Sequence, residues 1–159
     1  REHRTERWGW AMAALVVYGC RPSEVFSLRP QADGTAQLLT IKRQGKLPSW
    51  RTGLALPKAL VEELELMEVD LPLRHQSPAD YDSGEAKKAT ERWQKWLRRQ
   101  GAAWPLYAAR HAWAIRSIKK GLPTGLAARA LGHSISVHEP TYLSALNQTD
   151  MAAAAAALG

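Results

Sequence analysis

Four short stretches of this sequence hold residue types that could act on an anion. Gly19-Cys20-Arg21-Pro22-Ser23-Glu24 sets an arginine at the start of a helix with a carboxylate three residues on. That spacing lets the carboxylate hold the guanidinium by a charge-assisted hydrogen bond. Tyr107-Ala108-Ala109-Arg110-His111 puts a phenol and a second arginine on one side of a helix. Leu131-Gly132-His133-Ser134 leaves a histidine just past a helix end, and Tyr142 follows nine residues later in Glu139-Pro140-Thr141-Tyr142-Leu143. Taken singly, each has an ordinary reading: a surface ion pair, a neutralised helix end, a loop or capping histidine, a half-buried core tyrosine. Their order and spacing along one chain make them a candidate site.

The charge distribution points the same way. The 159 residues include 22 Lys and Arg against 15 Asp and Glu, a net of +7. Residues 1–60 carry a net +6 and residues 83–133 a net +9, while the intervening residues 61–82 carry −6. Two basic segments around an acidic one suggest a basic face with an acidic patch kept elsewhere, and a polyanion such as nucleic acid is the natural partner. A composition of 45% hydrophobic and 23% charged residues is that of a globular domain and argues against disorder. The single cysteine, Cys20, excludes a disulfide framework and a Cys-rich zinc site, and a reducing cytosolic setting is the default. No apolar run reaches the roughly 18–20 residues of a membrane span, and the start has no signal-peptide pattern.

The elements that must position these residues are mainly helical. Trp8–Tyr18 is apolar nearly all round, as in a buried helix, and Gly19 breaks it. Pro22 opens a second short helix through about Leu28. After a turn at Pro30, Asp33 and Gly34, Leu38, Leu39 and Ile41 predict one strand and Leu54–Leu56 a second, with the loop from Gly45 to Trp50 between them. Pro57 opens a helix with Leu60, Val61, Leu64 and Met67 on one face and Glu62, Glu63, Glu65 and Glu68 on the remainder. Residues 69–84 read as loop. A helix over about 85–99 turns Ala86, Ala89, Trp93, Trp96 and Leu97 inward. Its Lys88, Arg92, Lys95 and Arg99 form a stripe best read as a solvated face. Helices over 106–120 and 124–131 end at Gly121 and Gly132, and six consecutive alanines after Thr149 favour a last helix. The expected class is α+β, mainly α-helical with a small antiparallel β-sheet.

With motifs and elements in this order, the chain resembles the catalytic domain of the tyrosine recombinases, the phage-integrase family of site-specific DNA recombinases. Gly19-Cys20-Arg21-Pro22-Ser23-Glu24-Val25-Phe26-Ser27-Leu28 is similar to the family's first arginine motif, Arg110-His111-Ala112-Trp113-Ala114 to the second, and Leu131-Gly132-His133-Ser134 to the third. The nine-residue step from His133 to Tyr142 is the family's usual interval to its nucleophile. The family also carries a lysine on a β-turn between the arginine motifs. Lys46, beside Gly45, fits that place better, and Lys42 remains an alternative. One position departs from the pattern: three residues before the second arginine the family usually has histidine, and here stands Tyr107. In this the chain is similar to the cyanobacterial excision recombinases of the family. A phenol with an ordinary pKa of about 10 is a poor base near neutral pH, though it can donate a hydrogen bond.

The resemblance implies that the Tyr142 phenol attacks a phosphodiester of double-stranded DNA to give a 3′-phosphotyrosyl intermediate, without metal or cofactor. Arg21 and Arg110 would stabilise charge on the nonbridging oxygens, His133 would donate a further hydrogen bond, and Lys46 would protonate the leaving 5′-oxygen. Tyr107 would touch the phosphate or Tyr142. It also implies a homotetramer on paired DNA sites, with the C-terminal helix as a candidate for docking onto a neighbouring protomer. On this reading residues 1–159 are one catalytic domain, the family's N-terminal DNA-clamping domain lies outside the chain, and the setting is cytoplasmic and nucleoid-associated. The alternative is a degenerate relative that binds DNA without catalysis.

Overall fold

The computed structural model describes residues 2–41, 46–134, 136 and 148–158. Helix α1 spans Glu2–Tyr18, longer than the apolar run alone predicts, and buries Ala11, Ala14, Leu15, Val17 and Tyr18. It stops at Gly19, whose φ of +63° suits glycine and whose N–H donates to the Leu15 carbonyl (2.9 Å). A single 3-10 helix, Pro22–Ser27, takes the place of the expected second α-helix. Three antiparallel strands follow, β1 (Arg29–Pro30), β2 (Thr35–Thr40) and β3 (Ser49–Leu54), in the order β1-β2-β3. The register pairs Arg29 with Gln37, Gln37 with Thr52 and Leu38 with Arg51. The second strand therefore ends at Leu54, where the apolar triplet Leu54–Leu56 had placed its beginning. The polar residues 49–53 form it instead, because pairing with β2 supplies the hydrogen bonds that fix a strand regardless of its propensity.

The helix expected from Pro57 shrinks to α2 (Leu60–Glu63). Glu65 takes a left-handed φ of 52° and Leu66 donates its N–H to the Val61 carbonyl (2.9 Å), a Schellman-type ending. This turn rotates Leu66 into the core beside Val61 and leaves Leu64 and Met67 exposed, so the expected apolar face does not form. The glutamates 62, 63, 65 and 68 are exposed, as the charge pattern anticipated. The loop that follows holds a short 3-10 turn at Pro78–Asp80. Helix α3 (Ser83–Arg99) is capped by the Asp82 side chain, which accepts from the Glu85 N–H, and buries Ala86, Ala89, Trp93 and Leu97 while Lys88, Arg92, Lys95 and Arg99 stay exposed. Helices α4 (Ala108–Lys119) and α5 (Thr124–Leu131) end at the two glycines expected, both at φ +75°. Helix α6 (Gln148–Ala157) closes the chain, with Asp150 4.0 Å from the Lys119 ammonium at the end of α4.

The apolar side chains form two clusters. The larger joins α1, the 3-10 helix, β2 and α3 around Trp93, whose ring lies 6.0 Å from Trp8 and 6.3 Å from Phe26. The smaller gathers Trp113, Ala114, Ala127, Ala130 and Leu131, with Leu54 and Leu56 of the β3 end against it. Each fully buried Leu, Phe or Val contributes roughly 1.5–3 kcal/mol relative to exposure. Arg110 lies between the clusters, donating to the Gly19 carbonyl beside the larger and to the Leu131 carbonyl of the smaller. Among the described residues no helix is long and apolar enough to cross a membrane.

Candidate active site

The first motif is built around a buried carboxylate. Arg21 precedes the 3-10 helix in an extended conformation and Pro22 fixes its first residue, which turns the Arg21 side chain back over the helix start. The Arg21 backbone N–H donates to Glu24 Oε2 (3.0 Å) and its Nη1 to Oε1 (3.0 Å), the ion pair the i,i+3 spacing predicts. Glu24 is fully buried and accepts two further bonds, from Arg51 Nη2 to Oε2 (2.7 Å) and from the Ile41 N–H to Oε1 (3.2 Å). Burial by itself would raise its pKa. The Arg51 charge and hydrogen bond, and then Arg21, outweigh this and hold the carboxyl below its usual range.

Arg51 was not anticipated from the sequence. It stands opposite Leu38 on β3, with its guanidinium 10% exposed, and donates also to Thr40 Oγ1 (3.1 Å) and to the Ala130 carbonyl in the last turn of α5 (Nε, 3.0 Å). A charged residue at a buried strand position requires a partner, and its inward parity would have pointed to one. That parity could not be read with the loop drawn to Trp50 and the strand begun only at Leu54.

Arg110 of α4 draws the motifs together. It is 1% exposed; Nη1 donates to the Gly19 carbonyl (3.2 Å) and Nη2 to the Leu131 carbonyl (2.7 Å). Those carbonyls lie two residues before Arg21 and two before His133. One guanidinium thus spans the first and third motifs from the second. The approach of α4 depends on Gly19, where a Cβ would come within 2.4 Å of Trp113. Burial, and then the neighbouring Arg21 charge, lower the Arg110 pKa, and its Nε has no hydrogen-bond partner among the described residues. The turn carrying His133 is fixed by Gly132 in the left-handed region and by the His133 N–H, which donates to the Ala128 carbonyl (3.1 Å).

Tyr107 caps the start of α4, close enough to Arg110 to interact with it electrostatically, and its ring meets His111 edge-on at 5.3 Å. Tyr107 and Arg21 line one groove of about 520 Å³ between the 3-10 helix and α3. Lys46 is exposed at the foot of β3, with no hydrogen bond or ion pair to the arginine cluster among the described residues. Lys42 and Tyr142 lie outside the described residues. Cys20, between Gly19 and Arg21, is fully buried, and burial and then the Glu24 charge push its thiol up to about 12. It is held as a neutral thiol rather than a nucleophile. The result is three guanidinium groups around one carboxylate, a seat with excess positive charge suited to an oxyanion.

No family model matches the chain. It is 32% identical over 144 residues to Excisase A of Nostoc sp. (strain PCC 7120 / SAG 25.82 / UTEX 2576), a match over 85% of this chain and 30% of that protein. Excisase C of the same organism is 28% identical, over 86% of this chain and 29% of its own length. Among solved structures, XerA recombinase superposes with a TM-score of 0.53 at 12% identity, over 95% of this chain and 60% of that one. The XerH site-specific recombinase bound to palindromic difH substrate, in a post-cleavage complex, superposes with a TM-score of 0.52 at 20% identity, over 92% of this chain and 45% of that one. These superpositions give the chain the fold of the recombinase structures. Its helices and three-stranded sheet are those of a tyrosine recombinase catalytic domain, as the motif order implied. The chain spans about a third of the length of the excisases it matches.

Proposed function

We propose that this chain is a catalytic domain that cuts and rejoins double-stranded DNA at specific sites, one strand at a time. The observation that carries the reading is the Arg110 guanidinium, which donates to the carbonyls of Gly19 and Leu131 and so gathers three separated motifs around one buried cationic seat. In the reaction the Tyr142 phenol gives up its proton to solvent and its oxygen forms a bond to phosphorus as the bond to the 5′-oxygen breaks. The products are a 3′-phosphotyrosyl link and a 5′-hydroxyl. Arg21 and Arg110 take up charge on the nonbridging oxygens, and His133 adds a hydrogen bond there. Lys46, or Lys42 on the same hairpin, delivers the proton to the 5′-oxygen. Tyr107 meets the phosphate or Tyr142, and as a phenol it serves better as a donor than as a base. The covalent link retains the phosphodiester energy, so religation needs no ATP.

The names of the relatives, two excisases and two recombinases, support a role in DNA rearrangement, and a cytoplasmic setting belongs to the same proposal. A tetramer on paired sites, with a separate DNA-clamping domain and α6 docking on a neighbour, belongs to the same proposal. Within one chain α6 lies beside α4 through Lys119 and Asp150.

The test is covalent. The full-length protein is incubated in EDTA with supercoiled plasmid carrying its host DNA, and a denaturing gel reads protein attached to DNA. An adduct that forms without metal and disappears in Tyr142→Phe supports the reading. A full-length protein that binds DNA yet leaves no adduct is instead the non-catalytic relative.

A further inference from the structure

Arg51 has no part in the reaction proposed above, yet it is the most fully engaged cation of the site. Its donors reach three different elements: Glu24 on the 3-10 helix, Thr40 at the end of β2 and the Ala130 carbonyl near the end of α5. Gly132, the residue before His133, rests on the same side chain; a Cβ there would lie 3.0 Å from the guanidinium carbon. One side of Arg51 therefore holds Arg21, through Glu24, and the other holds the turn that presents His133.

The geometry points to Arg51 as a positioning residue, a brace that sets Arg21 and His133 at a fixed distance so that both meet one phosphate. The assignment rests on the site being the strand-transfer site proposed above. A guanidinium suits the task because its donors are fixed in a plane and aim in several directions at once. A lysine would supply the charge that Glu24 needs but, as a point charge on a flexible stem, could not also hold β2 and α5.

Arg51→Lys and Arg51→Met, made in the full-length protein, separate bracing from charge compensation. Four quantities are read: melting temperature, affinity for the host-DNA plasmid, the single-turnover rate of adduct formation, and the 15N resonances of the His133 ring in histidine-labelled protein. Arg51→Met loses melting temperature and adduct together. Arg51→Lys recovers melting temperature and keeps plasmid affinity, while its adduct rate stays down by roughly tenfold to a hundredfold, the scale of a misplaced catalytic group. Its His133 resonances differ from those of the wild type. A role in stability alone predicts that lysine restores the rate along with the melting temperature, and that result overturns the assignment whatever the spectrum shows. If the wild type itself forms no adduct, the strand-transfer reading falls separately and the His133 resonances decide: displaced in Arg51→Lys they support the brace, unchanged they overturn it.

Discussion

The two arginines expected to meet a phosphate are seated by opposite means. Arg21 lies at the edge of the larger cluster and is held by a full countercharge, Glu24, which it shares with Arg51. Arg110 lies at the seam with the smaller cluster and is held by two neutral carbonyls, with no carboxylate bonded to its guanidinium among the described residues. The first arrangement resembles an ordinary buried ion pair. The second leaves a desolvated cation with no bonded countercharge among the described residues, and burial and the Arg21 charge weaken its hold on the proton more than the nearby Glu24 charge restores it. Carbonyl dipoles fix the direction of such a guanidinium without cancelling its charge, so the missing charge is left for a ligand to bring. On the proposed function the difference divides the labour: the Glu24 pair would build the site, and Arg110 would make it a site for an anion.

Removing Arg110 should break this comparison most completely. Arg110→Ala takes away the uncompensated cation and leaves the Gly19 and Leu131 carbonyls without their donor. A lost oxyanion donor lowers a reaction rate by about 10²–10³-fold, so adduct formation in the plasmid assay should fall by at least that factor. Inorganic phosphate should raise the melting temperature of the wild type by binding the folded state and should leave that of Arg110→Ala unmoved. Equal phosphate stabilisation of both proteins would show that the uncompensated cation is elsewhere.

The next largest effect is expected at Glu24 and falls on stability. Glu24→Gln keeps the shape but leaves Arg21 and Arg51 buried without a countercharge, and breaking a buried pair in this way costs about 3–5 kcal/mol. The sign of the pH dependence follows from the lowered pKa. The stability that ionised Glu24 contributes is present above its unfolded value of roughly 4.3 and is lost as the pH falls through the lower folded one. Melting temperatures taken from neutral pH downward should therefore show a steeper acid limb in the wild type than in Glu24→Gln. Parallel limbs would mean that another carboxylate sets the acid transition.

Much of this seat was legible in the residues, and the exceptions share a cause. The Arg21–Glu24 spacing predicted its ion pair, the tyrosine-to-arginine spacing put Tyr107 and Arg110 at one helix start, and Gly19, Gly121 and Gly132 marked helix ends that form where expected. These are local relations, set within one turn of chain. Arg51 and the partners of Arg110 lie far apart in sequence: Glu24 is 27 residues from Arg51, and Gly19 is 91 from Arg110. Nothing in composition or period encodes such pairs before strand register and helix docking are fixed. The face expected on the helix after Pro57 failed for a related reason, since the left-handed Glu65 redirected Leu66 into a core whose position the period alone did not reveal.

A smaller effect than that at Glu24 is expected at the point where the two seats meet. Gly19→Ala puts a methyl 2.4 Å from Trp113 Cβ and Cγ and asks alanine to hold φ +63°. Strain at such a position costs of order 1–3 kcal/mol, and part of it is relieved by moving α4 away from the first motif. Because the Gly19 carbonyl is itself a support of Arg110, adduct formation should weaken along with melting temperature, whereas plasmid affinity should change less. Wild-type adduct formation at a lowered melting temperature would show that the Gly19 support is dispensable.

Tyr107 should give the smallest change, because it touches the arrangement only from its solvent side. It is 43% exposed and among the described residues its ring meets only His111, so Tyr107→Phe should leave stability within about 0.5 kcal/mol, the usual range for a surface substitution. If the phenol donates a hydrogen bond in the reaction, its removal should slow adduct formation about fivefold, as a net loss near 1 kcal/mol implies. Tyr107→His sharpens the point. An imidazole titrating near neutrality can accept a proton from Tyr142 where a phenol cannot, so the variant should form adduct faster than the wild type, with the gain fading below a pH of about 6.5 as the ring protonates. A gain that persists unchanged into acid would mean that residue 107 acts on the phosphate as a donor, alongside Arg110, and not on the nucleophile.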